Sequence, residues 1–492
     1  MRILNNFIDG KWRESTSRTR TKDLNPADVT DVVADAPCST PAEAAEACEA
    51  AARAFDGWRQ TPAPVRGQIL FKVQRRMEER RQALAEALTR EEGKTIGESR
   101  GEIQRAINVV EFFAGEARRM TGETIPSELP NNFCYTVKQP SGPVGIITPW
   151  NFPVAIPVWK IAPALVCGNT VVFKPATLTP LSAALLVEIF DECGLPPGVL
   201  NLVYGTGREV GDTIVRHRAI QAVSFTGSND VGVGLYRAAA ARGIKCQCEM
   251  GGKNPIVVLA DADLDLAVES TLQGAFGSTG QRCTATSRAV VVDSVAGEFL
   301  ERLEARTASL VVGNGLSTST NVGPSVDERQ MQSVMGYVET GRSEGARLVC
   351  GGGRITDDGC ERGFFVAPAI FDGVDAGMRI AQEEIFGPVL SLIRVPDAAQ
   401  ALSVANGVRF GLSASVYTSD VASMFKFVDR LDAGIIHVNS PTVGGEAHIP
   451  FGGMKATGVG LREMGRVAID FYTELKVVYV DYTGGARRTN LY

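Results

Sequence analysis

In the first quarter of the chain, apolar positions recur with the period of a helix and polar ones fill the gaps. Thr40-Pro41-Ala42-Glu43 fits a capping box with proline in the first turn, opening an Ala-rich helix that runs to about Gly57. The same period predicts helices over 65–90 and 96–119. Residues 121–141 are polar, contain three prolines and lose the period, which predicts an extended arm or hairpin. From Gly142 the pattern changes to short apolar runs at 144–148, 170–173, 199–203, 222–225 and 245–248. Helical stretches at 158–166 and 181–193, and others starting at Glu209 and Val231, separate them. Such alternation argues for a parallel sheet wound by right-handed crossovers. A second alternation, with strands at 256–259, 289–292 and 413–417, predicts a second domain of the same type. A β-rich run at 471–480 would form a sheet edge that needs a cover.

A chain of 492 residues exceeds one ordinary core, so two or three domains are expected. The composition, 44% hydrophobic and 22% charged, is that of a globular protein, and a net charge of −6 argues against a general nucleic-acid surface. No stretch reaches the roughly 20 apolar residues of a membrane span, and residues 1–12 lack a signal-peptide core. The ten cysteines follow no disulfide framework. Reduced thiols and a cytoplasmic setting are therefore expected, with neither nucleic acid nor membrane as partner.

Ligands of open parallel sheets bind at the carboxyl ends of the strands. Strands here end in Thr148-Pro149-Trp150-Asn151, in Lys174-Pro175-Ala176 and in Phe225-Thr226-Gly227-Ser228. Two glycine clusters compete to cradle a phosphate. Gly205-Thr206-Gly207 with Gly211 has the wrong spacing for a dinucleotide fingerprint. The Thr226–Gly232 turn follows a strand and opens a helix, so it could face its amides toward a pyrophosphate. Cys283, after Gly280-Gln281-Arg282, is placed for exposure, with Arg282 able to depress its pKa. Glu249 ends a strand at a Gly-Gly turn, where a carboxylate can act as a general base. Cys246 and Cys248 share a strand face, without the second ligand pair that a metal site requires, and no metal is expected. His217, His437 and His448 show no catalytic spacing with a cysteine or acid.

Taken together, seven segments resemble the aldehyde dehydrogenase superfamily over essentially the whole chain. They are 148–153, Lys174-Pro175-Ala176, Phe225-Thr226-Gly227-Ser228, Glu249-Met250-Gly251-Gly252-Lys253, Gly280-Gln281-Arg282-Cys283, 383–388 and 450–455. The resemblance implies an α/β fold of two Rossmann-like parallel-sheet domains plus a small β oligomerisation arm. Residues 1–120 and 142–250 would bind the dinucleotide, 251–450 would form the catalytic domain, and 121–141 with 470–492 the arm and tail of a homodimer or homotetramer. It implies Cys283 as nucleophile, Asn151 as oxyanion donor and Glu249 as the base that hydrolyses the thioester. Lys174 is similar to the adenosine-ribose lysine, Ser228 to a pyrophosphate contact, and Glu384 with Phe386 to the nicotinamide-ribose site. Thr148, Pro149, Trp150, Ala176, Thr177, Gly207, Gly211, Phe225, Thr226, Gly227, Met250 and Gly251 complete the expected NADP or NAD site.

Many NAD-preferring members carry a glutamate where this chain has Thr177, so NADP is favoured. Within the superfamily, 153–160 and 280–288 look most like 2-oxoglutarate semialdehyde (2,5-dioxopentanoate) dehydrogenases. Succinate-semialdehyde relatives usually carry arginines where this chain has Trp159 and Gly277. That departure counts against a carboxylated substrate and leaves uncharged aliphatic or aromatic aldehydes open. Trp159, Arg282, Thr284 and Phe451 are expected to face the substrate. CoA as acyl acceptor and, from another class, a cofactor-independent cysteine esterase are the competing readings.

Overall fold

The computed structural model describes residues 1–486; the end of the expected tail, 487–492, lies outside them. Helix α1 (Pro41–Gln60) begins with the expected box: Thr40 Oγ1 accepts the Glu43 N–H, and the Glu43 carboxylate accepts the Thr40 N–H at 2.8 Å. The helix expected over 65–90 is two, α2 (Ala63–Glu79) and α3 (Arg81–Glu92), broken at Arg80 with φ −100° and ψ 8°. No proline or glycine marks the break. The Arg80 guanidinium is held by Glu192, and both α2 and α3 pack on α4 (Ile96–Glu116), itself capped by Thr95 and Glu98. Tertiary packing has overridden local propensity.

Helices α5 (Ala155–Val166), α6 (Pro180–Glu192), α7 (Asp212–Arg216) and α8 (Asn229–Ala240) alternate with strands of an eight-stranded sheet. Its five central strands run parallel in the order Lys245–Glu249, Ala222–Thr226, Val144–Ile147, Val171–Lys174, Leu200–Leu202. Side chains alternate between two apolar layers: Val171 and Phe173 meet α2, α4, α5 and α6, while Val172 joins α1, α7 and α8. Burial on both faces explains why these strands read as continuous apolar runs.

Three features were not legible. The hairpin Asn6–Ile8 and Lys11–Arg13 extends one edge of the sheet. Gly458–Val459 returns after the second domain to pair antiparallel with Lys245–Glu249 at the other edge. The helix expected from Glu209 starts as a π turn, Gly207–Gly211, before α7.

The second sheet has seven strands, parallel except Arg347–Cys350, in the order Arg347–Cys350, Ala369–Asp372, Val389–Val395, Thr286–Val292, Asn254–Val258, Ser413–Tyr417, Ile435–Val438. The arm is a separate sheet in which Asn132–Pro140 pairs antiparallel with both Thr124–Ile125 and Thr473–Asp481. Among the described residues no helix is long and apolar enough to cross a membrane.

Candidate active site

The loop that carries Cys283 is built from unusual backbone. Ser278, Thr279 and Gly280 follow one another at φ 48°, 58° and 67°, and left-handed values cost a serine or threonine about 1–2 kcal/mol each. Neighbours hold the turn in place. Glu98 of α4 accepts the Ser278 N–H at 2.5 Å and pairs with Arg282 at 3.3 Å. Thr279 donates to the Gly323 carbonyl at 3.0 Å, and the Gln281 side chain accepts the Val326 N–H at 3.0 Å. Asn254 Nδ2 donates to the Cys283 carbonyl at 2.8 Å, which fixes the backbone beneath the sulfur.

Burial pushes the Cys283 thiol up to about 12, reinforced by the carboxylates of Glu384 and Glu249 and opposed by Arg105 and the Thr284 N–H. The expectation that Arg282 depresses this pKa is corrected here. Its guanidinium is committed to Glu98 and to Ser278 Oγ at 2.9 Å, and the cation acting on the thiol is Arg105.

Asn151 follows the first strand of the parallel sheet and is buried in the same cleft as Cys283. One amide proton goes to the Gln281 carbonyl at 3.0 Å, leaving the other for a ligand, and Oδ1 has no partner. A buried ion pair sets its position. Lys94 Nζ donates to the Asn151 carbonyl at 2.6 Å and to Glu102 at 2.7 Å, and Glu102 accepts the first N–H groups of α5 from Val154 and Ala155. Sequence reasoning passed over Lys94 and Glu102 because the groups they hold, the Asn151 carbonyl and the first amides of α5, lie about 50 residues away or more in the chain.

Glu249 lies opposite Thr226 at the carboxyl end of its strand. Its Oε1 rests against Gly452, where a Cβ would come within 2.6 Å, and Oε2 has no partner. Burial and then Glu463 raise its pKa well above the carboxylate range, against Lys160, Arg462 and the Gly453 N–H. Lys160 forms a buried ion pair with Glu463, which also accepts the Trp159 indole N–H at 2.8 Å. Trp159 is therefore a wall with its polar edge tied down; its ring packs on Phe451 at 5.6 Å between centroids.

A cleft of about 240 Å³ joins the predicted residues Pro149, Trp150, Asn151, Thr226, Gly227 and Ser228. Met250, Gly251, Cys283, Glu384 and Phe386 line it too, together with the unforeseen Gln330. A Cβ on Gly251 would fall 2.2 Å from the Glu384 carboxylate, which accepts the Gly252 N–H at 3.0 Å. Burial raises Glu384 to about 7. Phe386 sits at φ 58°, its carbonyl held by Gln330 Nε2 at 2.8 Å and its ring edge-on to Trp150.

Lys174, Ala176 and Thr177 lie beyond this cleft along the same sheet margin. Lys174 is buried, lowered to about 8 by that burial, and stands next to Gly211. Thr177 Oγ1 is 3.5 Å from the Gly205 carbonyl, and Gly207 opens the π turn with nothing near its Cα hydrogen. Phe225 was expected to contact the cofactor, but its ring is in the core beneath Gly227 and supports the loop instead.

Unpaired polar groups test whether a dinucleotide fits. Thr148 Oγ1 and Thr226 Oγ1 are buried without partners, and Ser228 caps α8 without a side-chain hydrogen bond, leaving first-turn N–H groups for an anion. These donors, with the glycines around them, fit the group.

A second cavity of about 740 Å³ lies between α4 and residues 444–448, lined by Gln104, Arg105, Asn108, Phe112, Ala447 and His448. The Arg105 guanidinium lies 5.2 Å over the Trp159 ring, and its Nε is buried without a partner. Its guanidinium donates to the Met464 sulfur at 3.5 Å, and no carboxylate pairs with it among the described residues. Arg105 was missed because, within a helix rich in charge, one arginine carries no signal. Among the described residues no group of three or more His, Cys, Asp or Glu could hold a metal ion.

The aldehyde dehydrogenase family model matches residues 12–478. The chain is 47% identical to an alpha-ketoglutaric semialdehyde dehydrogenase of Bacillus subtilis, covering 96% of this chain and 97% of that protein. It is 46% identical to a 2,5-dioxopentanoate dehydrogenase of Saccharolobus solfataricus, covering 93% and 95%. The crystal structure of betaine aldehyde dehydrogenase from Staphylococcus aureus in complex with NAD+ superposes with a TM-score of 0.96 at 34% identity, over 99% of this chain and 97% of that one. A half-buried thiol sharing a cleft with an amide donor and a carboxyl group, on this fold and with these relatives, places the chain in the aldehyde dehydrogenase family.

Proposed function

We propose that this aldehyde dehydrogenase oxidises a semialdehyde, 2,5-dioxopentanoate above others, through a thioester on Cys283. The Cys283 thiol gives up its proton to water, its sulfur adds to the aldehyde carbon, and the free Asn151 amide proton and the Cys283 N–H hold the alkoxide that forms. A bound nicotinamide dinucleotide supplies the hydride acceptor. Loss of hydride from the alkoxide leaves the thioester. Glu249, once it has given up its proton, takes one from water, which attacks the thioester carbon and releases the acid. The Thr226–Ser228 turn and the α8 amides would hold the pyrophosphate, Glu384 the nicotinamide ribose and Lys174 the adenosine ribose.

Arg105 carries the substrate assignment. A partly buried guanidinium with an unpaired Nε, lining a cavity and near enough to Cys283 for the two groups to interact electrostatically, calls for an anion. The absence of arginines at 159 and 277 had counted against a carboxylated substrate; Arg105 supplies the cation from α4 instead. It also disfavours a quaternary ammonium aldehyde such as the one that names the Staphylococcus aureus enzyme. The two relatives at 46–47% identity bear names that agree.

A matrix of aldehydes against both coenzymes, scored by kcat/KM with Cys283→Ala as blank, tests this reading. Turnover of hexanal or benzaldehyde equal to that of 2,5-dioxopentanoate overturns the substrate. Thr177, in place of a negative side chain, favours NADP, and a strong NAD preference defeats that part. Leu475, Val477 and Tyr479 are exposed along Thr473–Asp481, and Ile435–Val438 is an open, half-buried edge of the second sheet. The two complement each other in a homodimer or dimer of dimers, which light scattering tests. Free thiols at all ten cysteines fit a cytoplasmic setting.

A further inference from the structure

The proposed chemistry uses Cys283 and leaves a second pair of sulfurs unexplained. Cys246 and Cys248, on the strand that ends in Glu249, have their Sγ atoms 3.6 Å apart. We propose that they form a reversible redox dithiol at the foot of α8, which a peroxide closes to a disulfide that weakens coenzyme binding.

Geometry allows the bond. At about 3.3 Å per residue the two Cα atoms stand about 6.6 Å apart, at the long end of the roughly 4.4–6.8 Å that a disulfide spans. Closing it requires a small shortening of one strand and no movement between elements. A bridge at that limit is strained, hence easily reduced, which suits a switch better than a staple.

Location supplies the consequence. Cys248 Sγ lies 3.6 Å from the Gly232 carbonyl in the first turn of α8. Met250, two residues on, presses its sulfur against the same glycine, where a Cβ would come within 2.5 Å. From the strand itself, the Glu249 carbonyl accepts the Gly227 N–H at 3.0 Å. This short strand thus seats both the N-terminus of α8 and the turn before it, the parts that offer amides to a pyrophosphate. Drawing Cys248 toward Cys246 releases the Gly232 contact and tilts that seat.

The chemistry balances. Cys246, partly exposed, is the sulfur within reach, and the hydrogen bond from Cys248 makes it the more acidic of the two. Its thiolate attacks hydrogen peroxide, the O–O bond breaks, and a sulfenic acid and hydroxide form; hydroxide takes up a proton. The Cys248 sulfur then displaces the sulfenyl oxygen, which leaves as water with the Cys248 proton. Two thiols are oxidised to a disulfide, and peroxide is reduced to two waters.

The test uses full-length Cys283→Ala protein, so that oxidation of the nucleophile plays no part. Peroxide treatment followed by peptide mapping is expected to give one peptide, containing both cysteines, lighter by two hydrogens and restored by dithiothreitol. Affinity for NADP and NAD, read by quenching of tryptophan fluorescence, is expected to fall several-fold on oxidation and to recover on reduction. Cys246→Ser, which keeps a small polar group at a partly exposed position, is expected to bind coenzyme normally and ignore peroxide. Absence of the bridged peptide, or a sulfinic acid at Cys246 in its place, overturns the proposal. So does a bridge that leaves affinity unchanged, or an equal loss of affinity in Cys246→Ser. The mapping is independent of the coenzyme assignment, so an oxidised protein that never bound either dinucleotide would count against the cleft rather than the dithiol.

Discussion

Replacing Arg105 with leucine removes the charge and keeps an apolar side chain against Trp159. If the guanidinium holds the substrate carboxylate, truncation leaves an anion in a part-buried site without its partner, at a cost of about 2–5 kcal/mol. At about 1.4 kcal/mol per tenfold, that spans roughly 30- to 4000-fold in kcat/KM. Arg105 lines an open cavity and is only half-buried, so solvent screening places the expected loss near the lower end, about 30–300-fold. For hexanal only the contact of the guanidinium with the Trp159 face is lost, worth about 0.5–1 kcal/mol, and kcat/KM should change less than about fivefold. The decisive quantity is the ratio between the two substrates, measured by initial rates of reduced-coenzyme formation for wild type, Arg105→Leu and Arg105→Lys. Lysine should recover part of the loss, since it keeps the charge without the planar fork. Equal losses on both substrates would show that Arg105 merely supports the fold around Cys283. No loss on either substrate would place carboxylate recognition elsewhere.

Asn151→Ala, which removes the free amide donor, should lower kcat by about 10²–10³ while coenzyme affinity stays within a factor of two or so. Glu249→Gln should retain a pre-steady-state burst of reduced coenzyme and lose steady-state turnover; a lost burst contradicts a role confined to hydrolysis. Burial and Glu463 raise the Glu249 pKa, so its base form gains as pH rises through that value, and kcat should climb toward alkaline pH; a profile flat from pH 6 to 9 contradicts this assignment. Lys94→Met strands Glu102 as a buried, unpaired charge and should cost about 3–5 kcal/mol of stability in urea unfolding, with a fall in kcat from the displaced Asn151.

Strand ends and caps were legible because they are local. The capping box at Thr40, the alternation after Gly142 and the polar groups closing each parallel strand depend on neighbours a few residues away. The break at Arg80 was not legible, because the pattern continues through it and only packing on α4 explains it. The returning strand at Gly458–Val459 pairs across some two hundred residues, a register that no local pattern encodes. Cys283, Glu249 and Asn151 were singled out by the turns that carry them together with the segments that resemble the family. The groups that contact them, Lys94 in the turn before α4 and Glu98, Glu102 and Arg105 on it, were not, since charged residues around a half-buried helix look like any solvated face.

Three of those four residues nevertheless obey one simple rule. Glu98, Glu102 and Arg105 are spaced i, i+4, i+7, which aligns them along one face of α4 within about 10.5 Å of helix axis. Glu98 holds the strained turn that presents Cys283; Glu102, through Lys94 and the α5 amides, holds the Asn151 carbonyl; Arg105 points into the cavity beside Trp159. A single rigid element therefore fixes the Cys283 loop, Asn151 and the proposed substrate cation relative to one another, although their attachment points are spread over about 180 residues of chain. A helix suits that task better than a loop, because its backbone hydrogen bonds keep the three spacings constant while coenzyme and aldehyde come and go. The polar face that looked like ordinary solvated surface in the sequence is the ruler against which the active site is set.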